Sequence, residues 1–191
     1  PDPAPRHAGA PSTVLPIQYL RGIAAMMVVW HHALNQLPGL KTMFPSEVGN
    51  YGVDLFFVIS GFIMVVTTSR KTVTPARFVV RRLVRIVPLY WLLTLAGAGV
   101  ALAAPALFRS TEVSANHLLA SLFFVPHWSP SHPGTVWPLL VPGWSLNYEM
   151  FFYVVFASAL LAPMVWRAPV IVGVLLALVG LGLAFGPFES A

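Results

Sequence analysis

Two ionisable side chains stand out in the stretch IQYLRGIAAMMVVWHHALNQL, where Arg21 and His32 lie among residues suited to face lipid. Eleven residues separate them, which on a helix brings both to nearly one face, about 16 Å apart along the axis. His31 points roughly 100° away from His32. Ionisable groups at that depth are costly unless they face a bundle interior, a partner or a water-filled cavity. An imidazole titrates near neutral pH, so His32 suits a general base that takes a proton from a hydroxyl. The competing reading is a ring hydrogen-bonded to a neighbouring helix, and that is the reading favoured for His31. A second set lies further along. Arg82 and Arg85 sit three apart, and Arg81 and Arg85 four apart, so they share a helical face. Guanidinium groups bind phosphate through paired hydrogen bonds, which suits a phosphate-rich ligand. Anionic lipid headgroups would satisfy the same charges. Asp54 and Glu149 are the acidic groups nearest the apolar segments. Structural pairing with an arginine is the expectation for Asp54. For Glu149, pairing and orientation of a catalytic imidazole stay open. Ser60-Gly61, mid-segment, permits a kink or a close approach of a helix or ligand. His117, His127 and His132 read as boundary or loop residues, and Trp144, Tyr148 and Tyr153 as interfacial aromatics.

The elements that must position these groups are membrane helices. The 191 residues are 57% hydrophobic and 9% charged, with a mean hydropathy of +0.77. That composition excludes a soluble globular domain. Residues 1–13 (PDPAPRHAGAPST) read as a disordered lead-in to a membrane domain over 14–191. The apolar periodicity predicts a first helix from Leu15 to Leu37 and a second as GVDLFFVISGFIMVVTTS. A third enters as FVVRRLVRIVPLYW and stays uncharged to Ala104. HLLASLFFVPHW is too short to cross straight, and 127–142 is a proline-rich connection. A fifth helix runs as GWSLNYEMFFYVVFASALLAPMVW and a sixth from Ala168 to Phe185. The expected fold class is all-α, a polytopic transmembrane bundle with five to six segments. Six of the eleven basic residues (Arg70, Lys71, Arg77, Arg81, Arg82 and Arg85) fall in one connection. This places that connection and the N-terminus in the cytoplasm. Charge so concentrated does not suggest nucleic acid. With no cysteine there is no thiolate nucleophile or thiolate metal site. Metal-ligand pairs at four-residue spacing, a Gly-rich phosphate loop and a nucleophile elbow are also missing, so no metal is expected.

Four stretches, in order, carry a resemblance to a known family. IQYLRGIAAMMVVWHH holds an arginine, ten residues and a histidine, as Arg21 and His32. YGVDLFFVISGFIM surrounds Ser60-Gly61, RRLVRIVPLYW holds Arg82 and Arg85, and PGWSLNYEMFFY surrounds Glu149. Together they resemble the acyltransferase-3 family of integral membrane O-acyltransferases, in the branch linked with exopolysaccharide production. The resemblance implies transfer of an acyl group, acetyl above all, from a cytoplasmic acyl-CoA to a sugar hydroxyl. The acceptor would be a cell-envelope polysaccharide or a lipid-linked sugar, in a bacterial inner membrane. It implies that His32 is catalytic with Arg21 and Glu149, and that Arg82 and Arg85, with Ser60 and Gly61, hold acyl-CoA. Acyl-CoA would be a cosubstrate, not a tightly bound cofactor, and membrane lipids the surroundings. Protein partners are not identified. Members of the family have about ten spanning helices, so the chain reads as the N-terminal half of such a domain. Two other functions compete: a proton-coupled transporter or flippase of a lipid-linked glycan, and an inactive truncated scaffold.

Overall fold

The structure, a computed structural model, describes residues 14–36, 48–69, 73–106 and 111–186. The lead-in expected over 1–13 lies outside the described residues, as do Leu37, Arg70 and Lys71. The described residues fold as helices and connections, in two compact units, 1–71 and 72–191.

In the first unit α1 (Val14–Gln36) packs against α2 (Val48–Ser69). The helices run antiparallel, because His31 meets Gly49 while Ala24, Met27 and Val28 meet Gly52. Small residues make the close approach. A Cβ added to Gly52 would stand 2.8 Å from the Ala24 carbonyl oxygen, and one added to Gly49 would overlap His31 Cβ. Glycines three apart thus clear a strip of α2 for α1, as at small-residue contacts between membrane helices. Ala24 and Leu34 are buried on α1, and Ile59, Met64 and Thr68 on α2. The polar end of α2 satisfies itself. Thr67 Oγ1 donates to Ile63 O at 2.7 Å, Thr68 Oγ1 to Met64 O at 2.7 Å and Ser69 Oγ to Val66 O at 3.1 Å.

The second unit begins with α3 (Pro75–Ala103), where proline occupies the first turn and Thr74 caps the Arg77 amide. The helix continues through Pro88. A short α4 follows (Ala115–Leu122), capped by Ser114. Its eight residues span about 12 Å, well short of a hydrocarbon core. A single 3-10 turn (Val141–Gly143) leads into α5 (Trp144–Ala159), and α6 covers Met164–Phe185. The expected fifth helix is therefore too long. It stops at Ala159, and Met164 to Trp166 belong to α6. Pro163, which disfavours a helical residue before it, starts the new helix. Arg167 Nε closes the corner on Ala162 O at 3.2 Å.

α5 runs antiparallel to α3. Phe78 stacks on Phe156 at 5.0 Å near one end of the pair, and Gly143 lies against the Tyr90 ring at the other. Tyr90 also receives the end of α4, since its hydroxyl donates to Ser121 O at 3.0 Å and its ring stacks on Phe124 at 4.8 Å. The segment from Phe123 to Gly143 therefore begins and ends against one tyrosine of α3. Inside it Ser129 N donates to Thr135 O at 2.9 Å, and Leu139 N to Ser121 Oγ at 2.8 Å.

Three helices among the described residues are long and apolar enough to cross a membrane: Gly49–Ser69, Pro75–Ala103 and Met164–Phe185. α1, which carries Gln18, Arg21, His31 and His32, is not among them, nor is α5. At 16 residues α5 reaches about 24 Å.

Candidate functional site

α1 is one continuous helix over both Arg21 and His32. Its α2-facing stripe runs through Ala24, Val28 and His31. Arg21 and His32 fall together on one flank of that stripe, with Arg21 half-buried and His32 exposed. The two imidazoles meet edge to face, with ring centroids 5.6 Å apart. His31, read from sequence as the structural histidine, presses its Cβ onto the first turn of α2 at Gly49. The antiparallel register, continued at equal rise, sets Arg21 level with Val58 and Ile59. Ser60 and Gly61 are half-buried in an unbroken α2, so the glycine does not interrupt the helix. Asp54 is exposed on the same helix.

The second unit joins two of the sequence-predicted residues. Arg82, half-buried on α3, holds its guanidinium carbon 5.5 Å from the Phe78 ring centroid and 5.9 Å from that of Tyr153. Cations over aromatic faces are attracted by the ring quadrupole. The Tyr153 hydroxyl donates to Glu149 Oε1, one turn earlier on α5. Glu149 is near enough for its charge to act on Arg82, and so is Arg85. Arg85 itself is exposed, like Arg77 and Arg81. A guanidinium, a phenol and a carboxylate thus form one polar unit across α3 and α5. Sequence reasoning gave Tyr153 to the membrane interface. The Glu149–Tyr153 spacing of one helical turn was a visible signal, but the partner on α3 was not.

His117 also departs from its reading as a boundary residue, being buried at 3% exposed. Its Nδ1 lies 2.6 Å from His127 Nε2, and His127 Nδ1 lies 2.8 Å from Val125 O. A carbonyl only accepts, so His127 Nδ1 carries a proton and its Nε2 accepts from His117 Nδ1–H. Burial first, then the charges of His127 and His132, hold the His117 pKa below the usual imidazole value. Among the described residues no group of three His, Cys, Asp or Glu side chains could hold a metal ion.

The model of an acyltransferase domain matches residues 15–190. The exopolysaccharide production protein ExoZ of Rhizobium meliloti is 54% identical over 139 residues, covering 73% of this chain and 43% of that protein. BcsY of Komagataeibacter xylinus is 34% identical over 157 residues, 78% of this chain and 38% of that protein. The acyltransferase MdmB of Streptomyces mycarofaciens is 31% identical over 146 residues, 72% of this chain and 36% of that protein. The chain spans less than half the length of these three curated relatives. No solved structure matches it.

Proposed function

The chain belongs to the acyltransferase-3 family, and from that premise we propose that it supplies donor-binding and catalytic residues of a membrane O-acyltransferase acting on an envelope polysaccharide or lipid-linked sugar. The observation that supports the reading is the family match over 15–190, a range that includes Arg21, His32, Arg82, Arg85 and Glu149. The 54% identity to an exopolysaccharide production protein supports a saccharide acceptor.

The donor is an acyl-CoA, acetyl-CoA first. Its phosphates are held by the Arg82 and Arg85 guanidinium groups through charge-assisted hydrogen bonds. Ser60 and Gly61 of α2 are further residues assigned to donor binding. His32 Nε2 takes the proton of the acceptor hydroxyl as its oxygen attacks the thioester carbonyl carbon. The C–O bond forms, the C–S bond breaks, and the proton leaves with the coenzyme A thiolate. Arg21 stabilises charge developing on the carbonyl oxygen. Glu149 is a further residue of the transfer machinery, its carboxylate balancing the Arg82 guanidinium. The domain lies in a bacterial inner membrane with its N-terminus in the cytoplasm. α1, α2, α3, α5 and α6 are membrane segments of a domain of about ten helices, and α4 does not cross on its own.

Transfer of label from radioactive acetyl-CoA to envelope glycan, in membranes carrying the full-length natural protein, tests this. His32→Ala should lower transfer by roughly 100-fold or more while the protein still inserts. Near-normal transfer by that variant would remove His32 from the chemistry.

A further inference from the structure

Tyr153 has no part in the roles above, yet its surroundings differ from those of a packing aromatic. The side chain is 3% exposed. A phenol offers a π face and one O–H, and here each goes to a different ionic side chain. The face lies against the Arg82 guanidinium of α3, and the hydroxyl donates to Glu149 of α5. An interfacial tyrosine would instead turn its hydroxyl to water or headgroups. The ring is itself fixed. Phe78 meets it edge-on at 6.0 Å and stacks on Phe156 at 5.0 Å, so the guanidinium rests on two rings braced by a third.

This geometry has a consequence for phosphate binding. A free arginine loses several rotors when it closes on a ligand, whereas one already seated on ring faces loses fewer. A guanidinium over rings still directs N–H donors in its own plane toward a phosphate. The carboxylate behaves likewise. With one oxygen holding the phenol, Glu149 keeps its other lone pairs in a fixed direction.

We propose that Tyr153 is a positioning residue of the transfer site, whose ring seats Arg82 for the donor phosphate and whose hydroxyl fixes the Glu149 carboxylate. The two handles separate in experiment. The inference rests on the acyl-CoA reading of Arg82 for its first half, and on the part proposed for Glu149 in transfer for its second.

The test measures transfer rate against acetyl-CoA concentration in membranes with the full-length natural protein. The forms compared are wild type, Tyr153→Phe, Tyr153→Leu, Glu149→Gln, the Tyr153→Phe/Glu149→Gln double variant and Arg82→Lys. Rates are normalised to folded protein in the membrane. Tyr153→Phe keeps the ring, so KM for acetyl-CoA should stay within about twofold while kcat falls roughly tenfold. Tyr153→Leu removes the ring and should also raise KM roughly tenfold. Because the hydroxyl acts through Glu149, Tyr153→Phe should cost nothing further in the Glu149→Gln background. A purely structural tyrosine would give the same loss in both backgrounds, and that result would overturn the assignment. An unchanged kcat in Tyr153→Phe would do so too. If Arg82→Lys and Tyr153→Leu both leave KM unaltered, the acyl-CoA reading of Arg82 fails, and the seating half of the proposal with it. The coupling between Tyr153 and Glu149 is read from kcat and stands or falls separately.

Discussion

His31 lies where the backbone of a second helix passes closest, and a single glycine allows it. Any side chain at Gly49 would occupy the space of the His31 Cβ, whereas a Cβ at Gly22 would meet nothing within 4 Å. Gly49→Ala should therefore destabilise the α1–α2 pair by about 1–3 kcal/mol, through helix separation or a forced rotamer. Gly22→Ala, in the same helical setting, should be neutral or slightly stabilising. Thermal unfolding of both variants in detergent checks the contrast. The sequence could place Arg21 and His32 on one flank, because helical angles need only residue numbers. It could not say which neighbour His31 would meet, because that depends on Gly49 and Gly52 clearing a strip on another helix. Tyr153 was misjudged for a similar reason. Its partner on its own helix was legible at one turn's spacing, but the cation over its face comes from α3.

At the scale of elements, α4 is held by the way its end is finished. The last four carbonyls of a helix lack partners within it, and here each finds one. Leu119 O accepts from Phe123 N at 3.0 Å, Ala120 O from Val125 N at 2.9 Å, and Ser121 O from Phe124 N at 3.2 Å. Leu122 O accepts from Trp91 Nε1 at 2.8 Å. The pattern is a Schellman motif whose left-handed position is filled by Phe124, with φ of 57°. Glycine is the usual occupant there. Phenylalanine accepts the strain because its ring stacks on Tyr90. Trp91→Phe should cost about 1–3 kcal/mol, since Leu122 O loses the partner described for it. Tyr90→Phe, which keeps the stack and leaves Ser121 O its amide partner, should cost about 1 kcal/mol or less. Differential scanning of the two variants ranks them. None of this was legible in HLLASLFFVPHW, where length alone excluded a straight crossing and no glycine marked the helix end. The same limit applied to α5, whose apolar run continued through Leu160 and Leu161 and hid the turn before Pro163.

For the whole molecule, the all-helical class followed from composition, and the basic cluster from counting, although Arg77, Arg81, Arg82 and Arg85 lie on α3 itself and not in a connection before it. The number of crossings did not. Three described helices meet the length and apolarity of a span, and α6 is exposed along almost its whole length. Acid should act on the second unit through His117. The unfolded chain takes up a proton at this imidazole below its ordinary value of 6.5, while the folded chain resists until lower pH. The stability from that difference is complete above 6.5 and is lost progressively as pH falls below it. Melting temperature measured from pH 8 to pH 5 should decline over the lower half of the range, and less so in His117→Gln.

The return of the chain to Tyr90 has a further meaning for how such a protein can change over evolutionary time. Because Phe124 and Gly143 both abut one ring, the intervening residues can be lengthened, shortened or exchanged while their anchor points on α3 stay where they are. Related chains are therefore free to differ most between those two points, and a graft of that segment from one to another is the exchange the helices around it would feel least.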